Sequence, residues 1–489
     1  MSVDPRTPVI VGVGQRTERE LGVDPLDIMT GSTEDALADS GAGDQLRSRI
    51  DAVRVVWGVW PYRDPGRLVA ERIGSPAART TMTPVGGNQV YDLVNDTCAR
   101  IARGELDVAV VTAAEALRTR RHDHRAGRRT DYHPEPEAAS PDEMLGDDRP
   151  MSLPAEEEAG LGIAVNFYAM AETAIRHRNG ESVDDHRMRV AELWASASRV
   201  AATNPDAWIR DEHTAQQIAQ FSSTNRPVAS PYPKLMTSNL NVDQGGAVIL
   251  CSALAAEAAG VPRDRWIFPW SGSAAADHWY ATNRWAFDES PAMRLVGARA
   301  LSLAELTLDD VALLDLYSCF PAAVQVAQRE MAIPVDRPFT ITGGLTFAAG
   351  PLNCYCILPL TRAVRLLRDD PSEHAFLTGN GGWFTKHSAL VLGGGPSPSG
   401  YVSDTVQAAV DALPHRPTPD RPANDGMLET YTVTFDREMQ PERAILACLD
   451  AHGRRHWAAS TDGEILAELL ADDCCERPVK IDDGVARLV

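Results

Sequence analysis

The sequence predicts an α/β fold with right-handed crossovers, followed by a small antiparallel β-barrel. Three observations carry this. Short apolar, β-branched runs such as Pro8–Gly14 (PVIVGVG) and Asp107–Thr112 (DVAVVT) alternate with helical periodicity up to residue 117 and again from about residue 240. Residues 118–239 break that rhythm and read as an inserted loop domain. Beyond a proline-rich stretch, Pro414–Gly426, the period changes to strand-like alternation, as in Leu428–Phe435 (LETYTVTF).

In chain order, Pro8–Gly14 is a strand running into a glycine turn. Pro25–Gly41 is an amphipathic helix with Leu26, Met29, Thr33, Ala36 and Leu37 on one face and Gly41 as its stop. Ile50–Val59 is a second strand and Gly66–Gly74 a further helix. Gly86-Gly87-Asn88 then makes a tight turn, because glycine takes backbone angles that other residues avoid. Val90, Leu93, Val94, Thr97 and Ile101 recur at helical spacing until Gly104 stops the helix, and Asp107–Thr112 follows as a strand covered on both faces. Such a turn is a place for a nucleophile, since the helix N-terminus stabilises developing negative charge. The insertion opens with an arginine-rich run from Arg118, passes through an acidic, proline-rich stretch, and predicts helices near Gly160–Arg178 and Asp184–Ala202. Met236–Ser252 returns to the sheet. Val311–Leu316 and Ala389–Leu392 read as strands, Pro321–Met331 and Leu358–Arg368 as helices. In the tail, Arg443–Leu449, Arg455–Ala459 and Ile465–Leu470 are further short segments between Gly and Asp turns, which suggests the barrel.

A chain of 489 residues exceeds one compact core, so two or three domains are expected. No run approaches the ~20 apolar residues of a membrane span. The N-terminus lacks a basic region followed by an apolar run, so a cytoplasmic protein is expected. A net charge of −21 argues against nucleic-acid binding and means that an anionic ligand needs a local basic patch. The eight cysteines form no C-x-x-C pair and no spaced Cys/His pattern, so no metal is expected, and they read as plain thiols.

The stretch from Pro84 to Leu117 resembles the thiolase superfamily. There a nucleophilic cysteine sits at the turn, before a helix ending in Gly-Asp/Glu and a strand ending in glutamate; Gly104-Glu105 and Glu115 match. Met236–Ser252 resembles the N-D-G-A-A-A segment, Gly343–Pro351 the G-G-x-x-x-x-G-H-P segment, and Gly379-Asn380-Gly381-Gly382 the C-x-G-G segment. Tyr317-Ser318-Cys319-Phe320 stands at the N-E-A-F turn and is closer to the H-D-C-F of the sterol-carrier thiolase subfamily. The resemblance spans roughly residues 1–413 and is to the thiolase-like proteins often labelled acetyl-CoA acetyltransferase. It implies a five-layer α/β/α/β/α core of two similar halves, residues 1–117 with 240–265 and residues 266–413. It also implies that the loop domain, 118–239, covers the active site and receives the CoA. A linker, 414–426, and an additional barrel, 427–489, complete the expected organisation. In register, Gly87, Gly350 and Gly379 stand where the superfamily carries its Cys, His and Cys.

Other groups are therefore weighed. Tyr317 and Tyr355 fall in the two loops that supply active-site groups. They read either as a proton-transferring pair, as in thiolase-fold aldolases, or as fillers of the space left by missing side chains. Cys319 and Cys354 are either relocated nucleophiles or small buried hydrophobes. Asn380 lies in the G-N-G-G turn. Beyond it, His387 is an acid or base and Lys386 an anion holder, or else the lysine is solvated and the histidine caps a strand. Arg118, Arg120 and Arg121 either draw the phosphates of coenzyme A into an acidic protein or form a solvated loop or oligomer contact. Trp208 with Arg210 either stacks on and pairs with an adenine nucleotide or is a core tryptophan beside a surface arginine.

The leading expectation is a thiolase-like protein that acts on or binds acyl-CoA in lipid or sterol metabolism, with ordinary thiolysis lost. One alternative is a non-catalytic acyl-CoA-binding or partner protein. Another is an aldolase-type lyase using Tyr317 and Tyr355, with the barrel as an OB-like partner module. The expected ligand is coenzyme A or acyl-CoA, with no covalent cofactor. Family habit implies a homodimer, while the added domain leaves a monomer open.

Overall fold

In the computed structural model, which describes residues 3–482 and 484–489, two mixed sheets enclose a layer of buried helices. The first sheet runs, in spatial order, Pro8–Thr17, Asp243–Ser252, Val108–Ala116, Ala52–Val55, Arg79–Met82 and Glu143–Met144. The second runs Leu313–Asp315, His374–Gly381, Lys386–Gly393, Phe268–Ala276 and Val402–Thr405. The helices Gln89–Arg103 and Ile357–Asp369 lie between them and touch strands of both. The helix Pro25–Asp39 covers the outside of the first sheet and Pro291–Leu303 the outside of the second. This is the expected five-layer α/β/α/β/α core.

Central placement explains the sequence of the Gln89–Arg103 helix. Val90, Tyr91, Leu93, Val94, Cys98 and Ile101 are all fully buried, because sheets pack on two sides. Gly104 ends it with φ of 73°, the left-handed stop that glycine tolerates. The strand that follows runs past Thr112 to Ala116, since Ala113–Ala116 keep pairing with Asp243–Gly246.

The duplication, unreadable as sequence identity, is plain in the topology. In the first sheet Ala52–Val55 pairs parallel with Val108–Ala116, which pairs antiparallel with Asp243–Ser252, which pairs antiparallel with Pro8–Thr17. In the second, Leu313–Asp315, His374–Gly381, Lys386–Gly393 and Phe268–Ala276 repeat the same sequence of parallel, antiparallel and antiparallel pairings.

Several expectations are corrected. The strand read over Ile50–Val59 is only Ala52–Val55, because the chain then leaves the sheet as a loop carrying Trp57 and Trp60. Phe268–Ala276 was invisible as a strand because its small residues make room for the central helix. A Cβ on Gly272 would come within 2.1 Å of Asn95 Oδ1. The arginine-rich run is the helix Leu117–Arg125. Ile465–Leu470 belongs to a helix, Gly463–Ala471, whose N–H groups at Glu464 and Ile465 are capped by Asp462.

The tail forms a closed five-stranded barrel. Asp425–Phe435, Pro441–Leu449 and Arg455–Ser460 pair in succession. Arg455–Ser460 then meets Val485–Leu488 in parallel, and Pro478–Asp482 closes the ring back onto Asp425–Phe435. With the helix between its third and fourth strands, this is the strand order of an OB-fold.

The barrel is docked on the core. Thr430 Oγ1 donates to Met170 O at 2.6 Å, and Arg176 donates to Tyr431 Oη at 2.8 Å. Thr434 pairs with Ala229 of the loop domain. The fully buried Arg455 binds both oxygens of Glu429 at 2.6 Å and donates to the carbonyls of Ala281 and Arg284. The proline-rich segment is itself held, with Arg416 N bonded to Asn283 O at 2.8 Å. Among the described residues, no helix is long and apolar enough to cross a membrane.

Candidate functional site

The turn before the Gln89–Arg103 helix meets the ends of the second sheet at one point, where Gly87 and Gly379 stand against each other's neighbours, Asn380 and Asn88, while Gly350 packs apart against Ser238 and Leu345. A Cβ on Gly87 would lie 2.1 Å from Tyr317 Oη and 2.5 Å from Asn380 O. A Cβ on Gly379 would lie 2.7 Å from Ser388 Oγ and 2.9 Å from Asn88 Cα. At Gly350 the neighbours are Ser238 Cβ at 3.1 Å and Leu345 O at 3.2 Å. The space that side chains at Gly87 and Gly379 would need is taken, and Tyr317 is the residue that takes it at Gly87. What remains beside Tyr317, Gly379 and Asn380 is a cavity of about 20 Å³. That volume admits roughly one water molecule and no acyl group.

The tyrosines fall together as a perpendicular pair with ring centroids 5.5 Å apart. Beneath them lies Asp315, fully buried at the end of the Leu313–Asp315 strand. Its carboxylate accepts from Tyr355 Oη at 3.2 Å, Thr340 Oγ1 at 2.8 Å and Ile341 N at 3.0 Å. Burial pushes Asp315 up to about 7, so a proton can be held within the Asp315–Tyr355 pair near neutrality. Tyr355 Oη also meets Thr342 Oγ1 at 2.9 Å.

Tyr168 descends from the Ala164–Asn179 helix to roof the site. Its hydroxyl accepts from Asn380 Nδ2 at 2.9 Å and donates to Gly382 O at 3.0 Å, and its ring stacks on Phe320 at 4.7 Å. Cys356 Sγ donates to Gly87 O at 3.0 Å. Tyr168, Asp315 and Cys356 were missed as site residues. A carboxylate inside the apolar run LLDLY was the available signal for Asp315; Tyr168 has none, since its partner Asn380 is 212 residues away.

The remaining candidates are tied up structurally. His387 is buried, with Nε2 2.8 Å from Phe384 O and 3.1 Å from Ser290 Oγ, and burial pushes it down to about 4. Lys386 Nζ, its pKa lowered by burial, donates to Val85 O at 2.7 Å and Asp147 O at 3.3 Å and sits 5.0 Å from the Trp279 ring. Burial raises the Cys319 thiol to about 12, and Cys354 also lies above the usual thiol range, which leaves neither as a thiolate near neutrality.

The arginines divide. Arg118 donates to Arg19 O at 2.8 Å and lies 5.7 Å from the Trp208 ring, with Arg19 4.7 Å from the same ring. Arg120 turns to another side and donates to Val59 O at 2.9 Å. Arg121 is half-buried with its pKa lowered by burial, and Arg210 is exposed. Helical rotation of ~100° per residue turns Arg120 about 160° away from Arg118, while Arg121, three positions on, stays about 60° from it.

Comparison with known proteins gives the following. Residues 405–483 match the family model described as the thiolase-like protein type 1 additional C-terminal domain. The structure of a monomeric SCP2-thiolase-like protein type 1 from Mycobacterium smegmatis superposes with a TM-score of 0.85 at 30% identity, covering 100% of both chains. An aldolase described as Ltp2–ChsH2(DUF35) gives a TM-score of 0.61 at 19% identity, over 80% of this chain and 98% of the other. Human mitochondrial 3-ketoacyl-CoA thiolase gives 0.57 at 15%, over 80% and 99%. No curated protein sequence matches.

Proposed function

The chain belongs to the thiolase superfamily, among the SCP2-thiolase-like proteins of type 1, and from that premise we propose that it binds acyl-CoA without thiolysis or condensation. One observation carries the second half of this reading: the Tyr317 hydroxyl stands 2.1 Å from where a Cβ on Gly87 would begin. A nucleophile has no place to grow from, and the three glycines remove the acyl carrier and both proton carriers together. Support for a coenzyme A ligand comes from Trp208 flanked by Arg19 and Arg118 on the loop-domain side. Two guanidinium groups gathered on one half-buried tryptophan suit the phosphates of an adenine nucleotide. A role in lipid or sterol metabolism is part of the same proposal.

A second reading, an aldolase-type lyase, is favoured by the Tyr317–Tyr355 pair over Asp315 and by a barrel of OB strand order docked on the same chain. It requires the cavity beside Tyr317 to open on binding.

Calorimetric titration tests both. Coenzyme A and a medium-chain acyl-CoA are expected to bind wild type and to lose about ten-fold in affinity in the Arg19→Ala/Arg118→Ala double variant. A 3-ketoacyl-CoA with free CoA is expected to show no turnover. Failure of both ligands to bind, or measurable thiolysis, sinks the first reading. Cleavage of a 3-hydroxyacyl-CoA that disappears in Tyr317→Phe would establish the second.

A further inference from the structure

A larger cleft opens elsewhere, between the helix Val183–Thr203 of the loop domain and the helix Pro321–Glu330 with the segment after it. Its volume is about 1080 Å³, just above the roughly 300–1,000 Å³ of ordinary ligand sites. It shares no lining residue with the small cavity beside Tyr317. The Pro321–Glu330 helix separates the two, giving Ala323 and Ala327 to the cavity and Val326 and Gln328 to the cleft.

The floor is apolar: Val326, Ile333 and Phe339 are all nearly fully buried. The rim is cationic in a chain of net charge −21. Arg178 and Arg329 share the Asp288 carboxylate, and Arg189 is paired with Glu181. Five arginines thus line the cleft against three carboxylates, Glu192, Asp288 and Asp336, and two of those arginines have no carboxylate partner among the described residues. Among the described residues Arg199 has no hydrogen-bond or ion-pair partner, and Arg337 donates only to the backbone carbonyls of Leu308 and Val311. Gln328, 4% exposed, adds a side-chain nitrogen that is buried without a partner. A buried donor left unpaired costs about 1–3 kcal/mol, so an acceptor delivered by a ligand would recover it.

We propose that this cleft is a second ligand site, for an organic anion with an extended apolar body, such as a long-chain carboxylate. The head group takes hydrogen bonds from Arg199, Arg337 and the Gln328 amide, and the chain lies along Val326, Ile333 and Phe339. The proposal does not rest on the acyl-CoA reading above.

The test is calorimetric titration of the full-length protein with dodecanoate, with 1-dodecanol and acetate as controls. Dodecanoate is expected to bind, and both controls at least ten-fold more weakly. Arg199→Glu, at an exposed residue without a partner, is expected to weaken dodecanoate at least ten-fold. Ser196→Trp, which fills the cleft from the Val183–Thr203 helix, is expected to abolish it. Coenzyme A affinity is expected to stay unchanged in both variants. No dodecanoate binding, binding that both variants retain, or equal binding of dodecanol would overturn the proposal. Loss of coenzyme A binding in parallel would also overturn it, by merging the cleft with the first site. If Ser196→Trp does not fold, Arg199→Glu decides alone.

Discussion

At Gly87 a single missing side chain is held missing by its neighbours. Overpacking a closed site costs about 1–3 kcal/mol, so Gly87→Ala is expected to lower the denaturation midpoint. In a Tyr317→Ala background the same change is expected to cost less, because the hydroxyl 2.1 Å away is gone. Equal penalties in the two backgrounds would show that Tyr317 does not close the site. Titration offers a second residue-scale prediction. Burial raises Glu115, which accepts from Val59 N at 2.8 Å, to about 8, and Asp92 and Asp315 to about 7. The folded state then holds protons that the unfolded chain, with carboxyls near 4.5 and 3.8, has already released. The stability these groups contribute is complete below about pH 4 and is lost progressively as pH rises to 7 to 8. His387, pushed down to about 4 from 6.5, acts in the opposite sense but only below about 6.5. Stability is therefore expected to fall from about pH 4.5 to 8, by up to roughly 1.4 kcal/mol per pH unit for each proton, with His387 offsetting one proton below about 6.5. Glu115→Gln is expected to flatten that slope in urea titrations, and an unchanged slope would refute the assignment.

At the scale of elements, the Ala164–Asn179 helix links barrel and site. Tyr168 bonds Asn380, Met170 in the same turn bonds Thr430, and Arg176 about two turns on bonds Tyr431 of the barrel. The barrel is thus a buttress of the site's roof. Its main polar anchor is Arg455, fully buried against Glu429 and the carbonyls of Ala281 and Arg284. Removing one partner of a buried pair costs about 3–5 kcal/mol, because the other charge is left uncompensated. Arg455→Ala is expected to lower the thermal midpoint and to split unfolding into two transitions, read by calorimetry. A variant as stable as wild type would mean that apolar packing alone holds the barrel.

At the scale of the whole molecule, the chain covers its own Arg79–Met82 edge in the first sheet, while Val402–Thr405 is the exposed edge strand of the second. Thr81 and Met82 of the edge strand are paired in parallel with Glu143 and Met144 of the same chain, and Leu145 N donates to Met82 O at 3.0 Å. An edge satisfied in this way offers no row of free N–H and C=O groups to a partner. We expect a monomer of 53.0 kDa by light scattering after size exclusion, and a stable dimer mass would refute this.

Local sequence was enough to determine the α/β alternation and the strand-rich tail, because helix and strand periods and glycine stops are short-range properties, while the five-layer arrangement of two halves followed only from the family resemblance. The Gln89–Arg103 helix, the buried strand after it and the alternating tail are all legible from neighbours in the chain. The loss of the thiolase residues was legible too, since Gly87, Gly350 and Gly379 lie in recognisable segments. What filled the gaps was decided only in three dimensions. Tyr317 reaches Gly87 across 230 positions, Tyr168 reaches Asn380 across 212, and the cleft takes its walls from helices more than a hundred residues apart. Burial likewise turned Lys386 and His387 from candidate chemistry into structure. A side chain's environment is the sum of what packs against it, and the chain order does not encode that sum locally.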